Sequence, residues 1–322
     1  MSTSSAASRV SPLLGANLGL VATVLVWGTP IPLLDDILTR WDPVGMAMLR
    51  YALSVPFLLL FLWLMQPTVY RPGRFLPAGI GWGRLIFLGA LGPGGFALCF
   101  MVALAYSNPI TMAILAAISP VIAGLVDWAC YGQRPAKGIG LALLLAISGG
   151  IMASVELSEL ASGLAVEGGE PIMLIALICW AWYSITAQRW MPGATQLHIT
   201  TVSMLPTGFV IAGVYLAALA LGWAEPLPAD PRLDDMVLIA WIAVSSIVLG
   251  VLTWNMGVKR LGVVVASMYL NLIPLVAVLT AVALGVEPRI EQLIGGLLVV
   301  AGVLQAQYRR LAKSKAASEK SA

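Results

Sequence analysis

The sequence predicts an all-α integral membrane protein of ten transmembrane helices, arranged as two five-helix repeats of inverted topology. Three observations carry that prediction. Of the 322 residues, 60% are hydrophobic and only 10% are charged. A soluble domain has about 25% charged residues, so this chain cannot cover itself with a water-facing surface. Apolar runs long enough to cross a bilayer recur along the whole chain. Two prolines then interrupt such runs at matched places: Pro120 in "ILAAISPVIAGLV" and Pro274 in "MYLNLIPLVAVLT" stand 154 residues apart.

Apolar runs and their polar breaks place spans 1 to 10 at 14–34, 44–64, 82–105, 108–130, 138–155, 171–190, 197–222, 236–256, 262–285 and 290–307. The opening "MSTSSAASRVSP" lacks the long basic region and small-residue cleavage site of a secretory signal. The first run therefore reads as a retained helix. The basic, polar tail 308–322, "YRRLAKSKAASEKSA" from Tyr308, reads as disordered. Cys99, Cys130 and Cys179 lie in apolar runs without a CxxC spacing, and His198 is the single histidine. They make neither a disulfide framework nor a metal site, and no cofactor is expected.

Basic residues give the orientation. With the N-terminus inside, the outer loops hold only Arg40, Arg232 and Arg289 of the 18 Lys and Arg residues, and Arg50 lies within span 2. The outer loops collect acids instead: Asp35, Asp36 and Asp42, four glutamates in 156–170, then Glu225, Asp230, Asp234 and Asp235. Both termini are expected to be cytoplasmic, in a bacterial-type inner membrane.

The proline spacing belongs to a wider pattern. "VWGTP" matches "CWAWY" with Trp27 and Trp180 153 residues apart, and "YGQRP" matches "LGVEP" with Gly132 and Gly285 at the same offset. "FMVALAYSNP" lies opposite "WNMGVKRLGV" at 154. This is the spacing of a tandem duplication, with repeats at 14–155 and 171–307. Five spans per copy is an odd number, so the second copy enters the membrane inverted. Inverted repeats with broken helices at matching positions place a substrate site near the midplane, at the repeat interface.

The plan resembles the drug/metabolite transporter superfamily, in particular its EamA-type exporters. The resemblance is carried by "VWGTP", "PVGMAMLR", "ALAYSNPITMAILAAISPVIAGLVDW" and "YGQRP" in the first copy. In the second copy it is carried by "CWAWYSITAQRW", "WNMGVKRLGVVVASMYLNLIPLVAVLTAVALGVEP" and "GGLLVVAG". It implies similarity to exporters of aromatic and other amino acids and to broader metabolite effluxers. The family commonly has Gly-Glu after its fourth and ninth spans, whereas this chain has Gly132-Gln133 and Gly285-Val286-Glu287.

Candidate site residues follow from depth. Arg50 and Asp127 are the charges well inside spans, where a charge is costly and a functional candidate by default. Arg50 reads as a carboxylate-binding or gating group, or as a packing residue paired with a carbonyl or an outer acid. Asp127, near Arg134 and Lys137, reads as a cytoplasmic-end ion pair, with proton coupling as the alternative. Trp27, Trp180 and Tyr183 lie deeper than the interfacial tryptophans and would line a cavity or pack. Ser119, Pro120, Tyr269, Asn271 and Pro274 surround the two breaks, and Asn255 lies on span 8. These polar atoms would touch substrate or bond locally to carbonyls that proline frees. "GALGPGG" at 89–95 permits close helix contact or a broken helix.

No GxxxxGK[ST] motif is present. The expected function is secondary transport, exporting small metabolites such as amino acids by alternating access, either facilitated or coupled to protons or another ion. The expected partners are a small-molecule substrate and the lipid bilayer, and no nucleic acid. Exchange of nucleotide sugars or sugar phosphates would need a more cationic cavity. A membrane group-transfer enzyme would need clustered acids or histidines. A lipid scramblase or scaffold is a further alternative of another class.

Overall fold

The computed structural model describes residues 3–107, 109–134, 138–155 and 168–319. Among these every regular element is a helix. Eight helices are long and apolar enough to cross a membrane: Leu13–Leu33, Pro43–Met65, Trp82–Ala103, Glu170–Trp190, Gln196–Ala220, Leu233–Leu261, Val263–Ala283 and Ile290–Arg309. The pair Thr111–Ala117 and Ser119–Tyr131, bent by 51° at Ile118, has together the length and apolarity of a ninth. Span 5 is the 15-residue apolar helix Gly140–Ser154, about 22 Å long at 1.5 Å per residue and so shorter than a typical ~30 Å hydrocarbon core. Lys137 and the glutamates at 156, 159 and 167 lie outside the described residues, as do the side chains of Asp35 and Asp36.

The span expected at 14–34 is Leu13–Leu33, in which the helix Thr3–Gly28 is followed by a short one, Ile31–Leu38. Pro30 and Pro32 withhold the donors that would continue the first helix. The C-terminal tail is helical rather than disordered, because Ile290–Glu319 is one continuous helix. A tail rich in Ala, Lys, Arg and Glu has high helix propensity and needs no new nucleus when it extends an existing helix.

The packing is two-fold. Span 1 packs on span 8 and span 3 on span 6, while spans 2 and 7, 4 and 9, and 5 and 10 pack as pairs. Exchanging the two copies leaves this set of pairs unchanged. Spans 5 and 10 run antiparallel with their backbones in close approach. A Cβ on Gly149 would stand 2.5 Å from the Gly295 carbonyl oxygen, and one on Gly302 2.7 Å from that of Ala142. Small residues on facing helices permit this contact.

Local irregularities repeat as well. Wider turns of the π type occupy Ala90–Gly94 in span 3 and Ala243–Gly250 in span 8, starting 153 residues apart. Gly132 and Gly285, at the same offset, follow the helices of spans 4 and 9 with φ of +68° and +93°, a conformation that favours glycine. In span 3 the reason for the wide turn is Pro93, which has no N–H for the carbonyl of Gly89. The Thr207 hydroxyl donates to that carbonyl instead, at 2.9 Å. A Cβ on Gly89 would meet Pro206 and the Ser203 carbonyl, and one on Gly92 would meet Tyr183. The glycine cluster therefore serves close helix contact.

The two ends of the bundle differ. At the end holding both termini, Leu13, Tyr131, Ile139, Leu261, Val263 and Ala306 belong to one apolar cluster. At the opposite end Ile37, Trp41, Met46 and Ile239 form another. There the buried Asp235 carboxylate accepts from Arg40 at 2.7 and 3.2 Å and from Trp41 Nε1 at 3.0 Å. This joins the loop before span 2 to span 8.

Candidate functional site

Between the middle of the bundle and the end opposite the termini lies a cavity of about 500 Å³. That size suits a small organic molecule. Both copies contribute to its wall: Trp27, Arg50, Tyr51, Phe96, Phe100 and Ser119 from the first, and Trp180, Ser246, Ser267, Asn271 and Pro274 from the second. Alanine, leucine and isoleucine side chains fill most of the remainder.

The aromatic part is a connected group. The Trp27 and Trp180 rings meet edge to face with centroids 5.7 Å apart, and both lie within 6.0 Å of Trp254. Phe96 packs on Trp180 at 5.3 Å and on Phe100 at 5.5 Å. Trp27 is fixed by its indole N–H, which donates to the Ser246 carbonyl at 2.9 Å, and the Ser246 hydroxyl donates back to the Val26 carbonyl. The wide turn of span 8 thus holds the end of span 1. Gly250 lies directly against the Trp27 indole, and a Cβ there would clash with it.

Polar groups in the wall divide into satisfied and unsatisfied. Asn271 Nδ2 donates to the carbonyls of Ala117 at 3.0 Å and Ala146 at 2.9 Å. Arg50 Nε is buried with no hydrogen-bond partner among the described residues, and so is Ser119 Oγ. The backbone is also interrupted at the wall. Pro120 and Pro274 offer no N–H to the carbonyls four residues back, Ala116 and Leu270, and both of those residues line the cavity.

Of the residues singled out in the sequence, Trp27, Arg50, Ser119, Trp180, Asn271 and Pro274 are in the cavity wall. Pro120 is the second residue of the helix that begins at Ser119 and is buried. Tyr183 and Asn255 are both fully buried and bonded to each other behind the wall. Asn255 Nδ2 donates to the Tyr183 hydroxyl at 3.2 Å and to Thr200 Oγ1 at 2.9 Å, while Tyr183 also meets Ser203. Tyr269 donates to Asn17 on span 1. Asp127 is away from the cavity and 3.5 Å from Arg189 of span 6, whose guanidinium lies over the Tyr131 ring. Among the described residues its ion-pair partner is Arg189; the sequence pointed to the neighbouring Arg134 and to Lys137, which lies outside the described residues. Sequence reasoning missed Tyr51, Phe96, Phe100, Trp254 and Ser246. The four-residue spacing of Phe96 and Phe100 and the Ser245–Ser246 pair in mid-span were the available signals.

The half of the bundle nearer the termini is closed by contacts between the copies. Thr23 Oγ1 lies 2.8 Å from Thr253 Oγ1 and Gly257 receives the Leu20 side chain, while within the second copy Trp254 Nε1 donates to Ser184 Oγ at 2.9 Å. Such a bundle, built twice around a cavity at the repeat interface, is the architecture of a membrane transporter. The chain belongs to the EamA-like transporter family, whose model matches residues 14–155 and again 168–306.

Relatives agree with that assignment. The uncharacterized transporter YyaM of Bacillus subtilis is 30% identical over 223 residues, 69% of this chain and 72% of its own. The uncharacterized inner membrane transporter YedA of Escherichia coli is 26% identical, covering 92% of this chain and 91% of its own. A probable terminal-alkyne amino-acid exporter of Streptantibioticus cattleyicolor is 26% identical, covering 93% and 95%. A crystal structure of a protein matches with a TM-score of 0.73 at 19% identity, over 92% of this chain and 98% of that one. It shares the fold. The chain is a multi-pass membrane transporter rather than an enzyme.

Proposed function

We propose that this transporter exports small organic metabolites bearing a carboxylate, moving them through the midplane cavity by alternating access. The observation that carries the reading is Arg50, a cation in the wall of a mostly apolar cavity, whose buried Nε has no hydrogen-bond partner among the described residues. A buried guanidinium is expected to be paired, and a bound carboxylate would supply the pair with two charge-assisted hydrogen bonds. The Streptantibioticus cattleyicolor relative, a probable terminal-alkyne amino-acid exporter, supports a substrate that bears a carboxylate. The aromatic group around Trp27 and Trp180 would hold the apolar body of the substrate.

The orientation is part of the proposal. Basic residues collect at the end holding the termini, and a relative is named an inner membrane transporter. Both termini would then be cytoplasmic, with the cavity in the outward half of the bundle. Counterflow of labelled acids in proteoliposomes tests the transport reading. Arg50→Gln should abolish it while leaving membrane expression near normal, and loss of folded protein instead would favour a packing role. In a cysteine-free background, Pro72→Cys should be shielded from an impermeant thiol reagent in intact cells and Ala229→Cys labelled. The reverse pattern would invert the orientation.

A further inference from the structure

The wall of the cavity distinguishes among carboxylates. Arg50 is the only charged side chain among its described residues, and no aspartate, glutamate or histidine accompanies it. Some of its other polar groups are already used: Ser246 Oγ donates to Val26, Ser154 Oγ to Gly150, and Asn271 Nδ2 to Ala117 and Ala146. Arg50 Nε and Ser119 Oγ are buried with no partner among the described residues, and the hydroxyls of Tyr51 and Ser267 also line the wall. A guanidinium is a donor without acceptor capacity, and a hydroxyl can add a second donor. Together they suit the oxygens of an anion, and the rings of Trp27, Trp180, Phe96 and Phe100 suit an apolar body.

We propose that the cavity selects an organic monoanion with an aromatic or branched apolar body and no ammonium group: an aryl or alkyl carboxylate, or an N-acylated amino acid. This rests on the cavity being the transport site and narrows the substrate class. A carboxylate bound to Arg50 leaves the pair neutral. A free amino acid adds an ammonium that loses its hydration with no described carboxylate to meet it, a burial penalty that falls on that ligand alone. A penalty of this kind is worth at least about tenfold in affinity.

The test uses three ligands with one ring: 3-phenylpropionate, phenylalanine and phenethylamine. Each is titrated at pH 7 into the purified full-length protein in nanodiscs, followed by quenching of tryptophan fluorescence. 3-Phenylpropionate should bind at least about tenfold tighter than phenylalanine, and phenethylamine should not saturate. Arg50→Gln should weaken the acid at least about tenfold, and Arg50→Lys should restore part of the loss if the first variant is poorly folded. Phenylalanine binding as tightly as the acid would place its ammonium on the carbonyls that Pro120 and Pro274 deprive of a helical donor, and would overturn the proposal. So would saturable phenethylamine, or binding of none of the three by protein with a cooperative melt. Flux separates this from the transport reading. Binding of the acid without counterflow would sink transport and leave the class standing, whereas counterflow of phenylalanine alone would do the opposite.

Discussion

Span 4 breaks at Ile118 with a bend of 51°, whereas span 9 breaks at Asn271 and Leu272 and still runs as one crossing from Val263 to Ala283. Both breaks place a proline at the second residue of the following helix, Pro120 after Ser119 and Pro274 after Ile273. That position tolerates proline, because the first turn of a helix has no internal use for the missing N–H. What differs is how the freed backbone is satisfied. Asn271 reaches out of its own break to the carbonyl of Ala117, its equivalent 154 residues earlier, and to Ala146 on span 5. The first break has no such side chain, and its Ser119 hydroxyl is buried without a partner among the described residues. The second break is therefore tied by its own side chain to two other helices, spans 4 and 5, and the first is left with an open donor at the cavity. Duplication supplied the same interruption twice, and divergence gave the two copies unequal tasks.

The largest expected effect comes from removing the tie. Asn271→Leu keeps the side-chain volume but leaves the carbonyls of Ala117 and Ala146 without their donor. Two lost hydrogen bonds to buried groups are expected to cost about 2–4 kcal/mol. The thermal midpoint of the purified protein should fall by several degrees. Ser119→Ala should be neutral or slightly stabilising, since it deletes a buried polar atom that has no partner. Equal losses from both substitutions would erase the distinction between the breaks.

The prolines give an intermediate effect. Pro→Ala restores the missing N–H and should change stability little in either span. Because each broken helix would serve one side of the transport cycle, Pro120→Ala and Pro274→Ala should bias the conformational equilibrium in opposite directions. Cysteines placed on the two sides of the cavity would report accessibility changes of opposite sign, on the order of several-fold for a bias near 1 kcal/mol. Shifts of the same sign, or normal transport in both variants, would reduce both prolines to ordinary kinks.

Much of the fold was legible because it is written in quantities that do not depend on packing. Span length and the offset of 153 to 154 residues are properties of the chain alone. Span 5 shows the limit: 138–155 reads as a full crossing, yet the described helix is Gly140–Ser154, since an apolar run does not reveal where its hydrogen-bond ladder stops. The tail after Tyr308 was misread because composition predicts whether a segment can start a helix, not whether a preceding helix carries it along.

The site was legible in part. Trp27, Trp180, Asn271 and Pro274 stood out through depth and repetition, and Arg50 through its charge. Tyr183, Asn255 and Tyr269 have the same chemistry, yet their partners are Ser203, Thr200 and Asn17 on neighbouring helices. A buried structural network draws on the residue types a binding site uses, and only packing shows which face of a helix meets the cavity. Phe96 and Phe100 offered only their four-residue spacing, because apolar residues on an apolar helix mark no face.

The smallest effect concerns the helices that follow the two breaks. In the first copy Ser119–Tyr131 is tethered to span 6 by Asp127 and Arg189, at 3.5 Å, and by Tyr131, whose hydroxyl lies 2.6 Å from Thr186 Oγ1. The residue equivalent to Asp127 is Thr280, 153 positions on, and its hydroxyl donates only to Val276 in its own helix. Asp127 and Arg189 retain a quarter and two-fifths of their side-chain exposure, so water screens the pair and its contribution should be below ~1 kcal/mol. A double-mutant cycle of Asp127→Asn and Arg189→Gln, read from melting midpoints at low and high salt, should return a small coupling that salt reduces. Thr280→Val should leave stability within about 0.5 kcal/mol. If Asp127 instead coupled proton movement to transport, Asp127→Asn would abolish substrate accumulation driven by a proton gradient while sparing counterflow. A structural tether predicts that both activities fall together or not at all, because the substitution then alters only how firmly the helix after the first break is held.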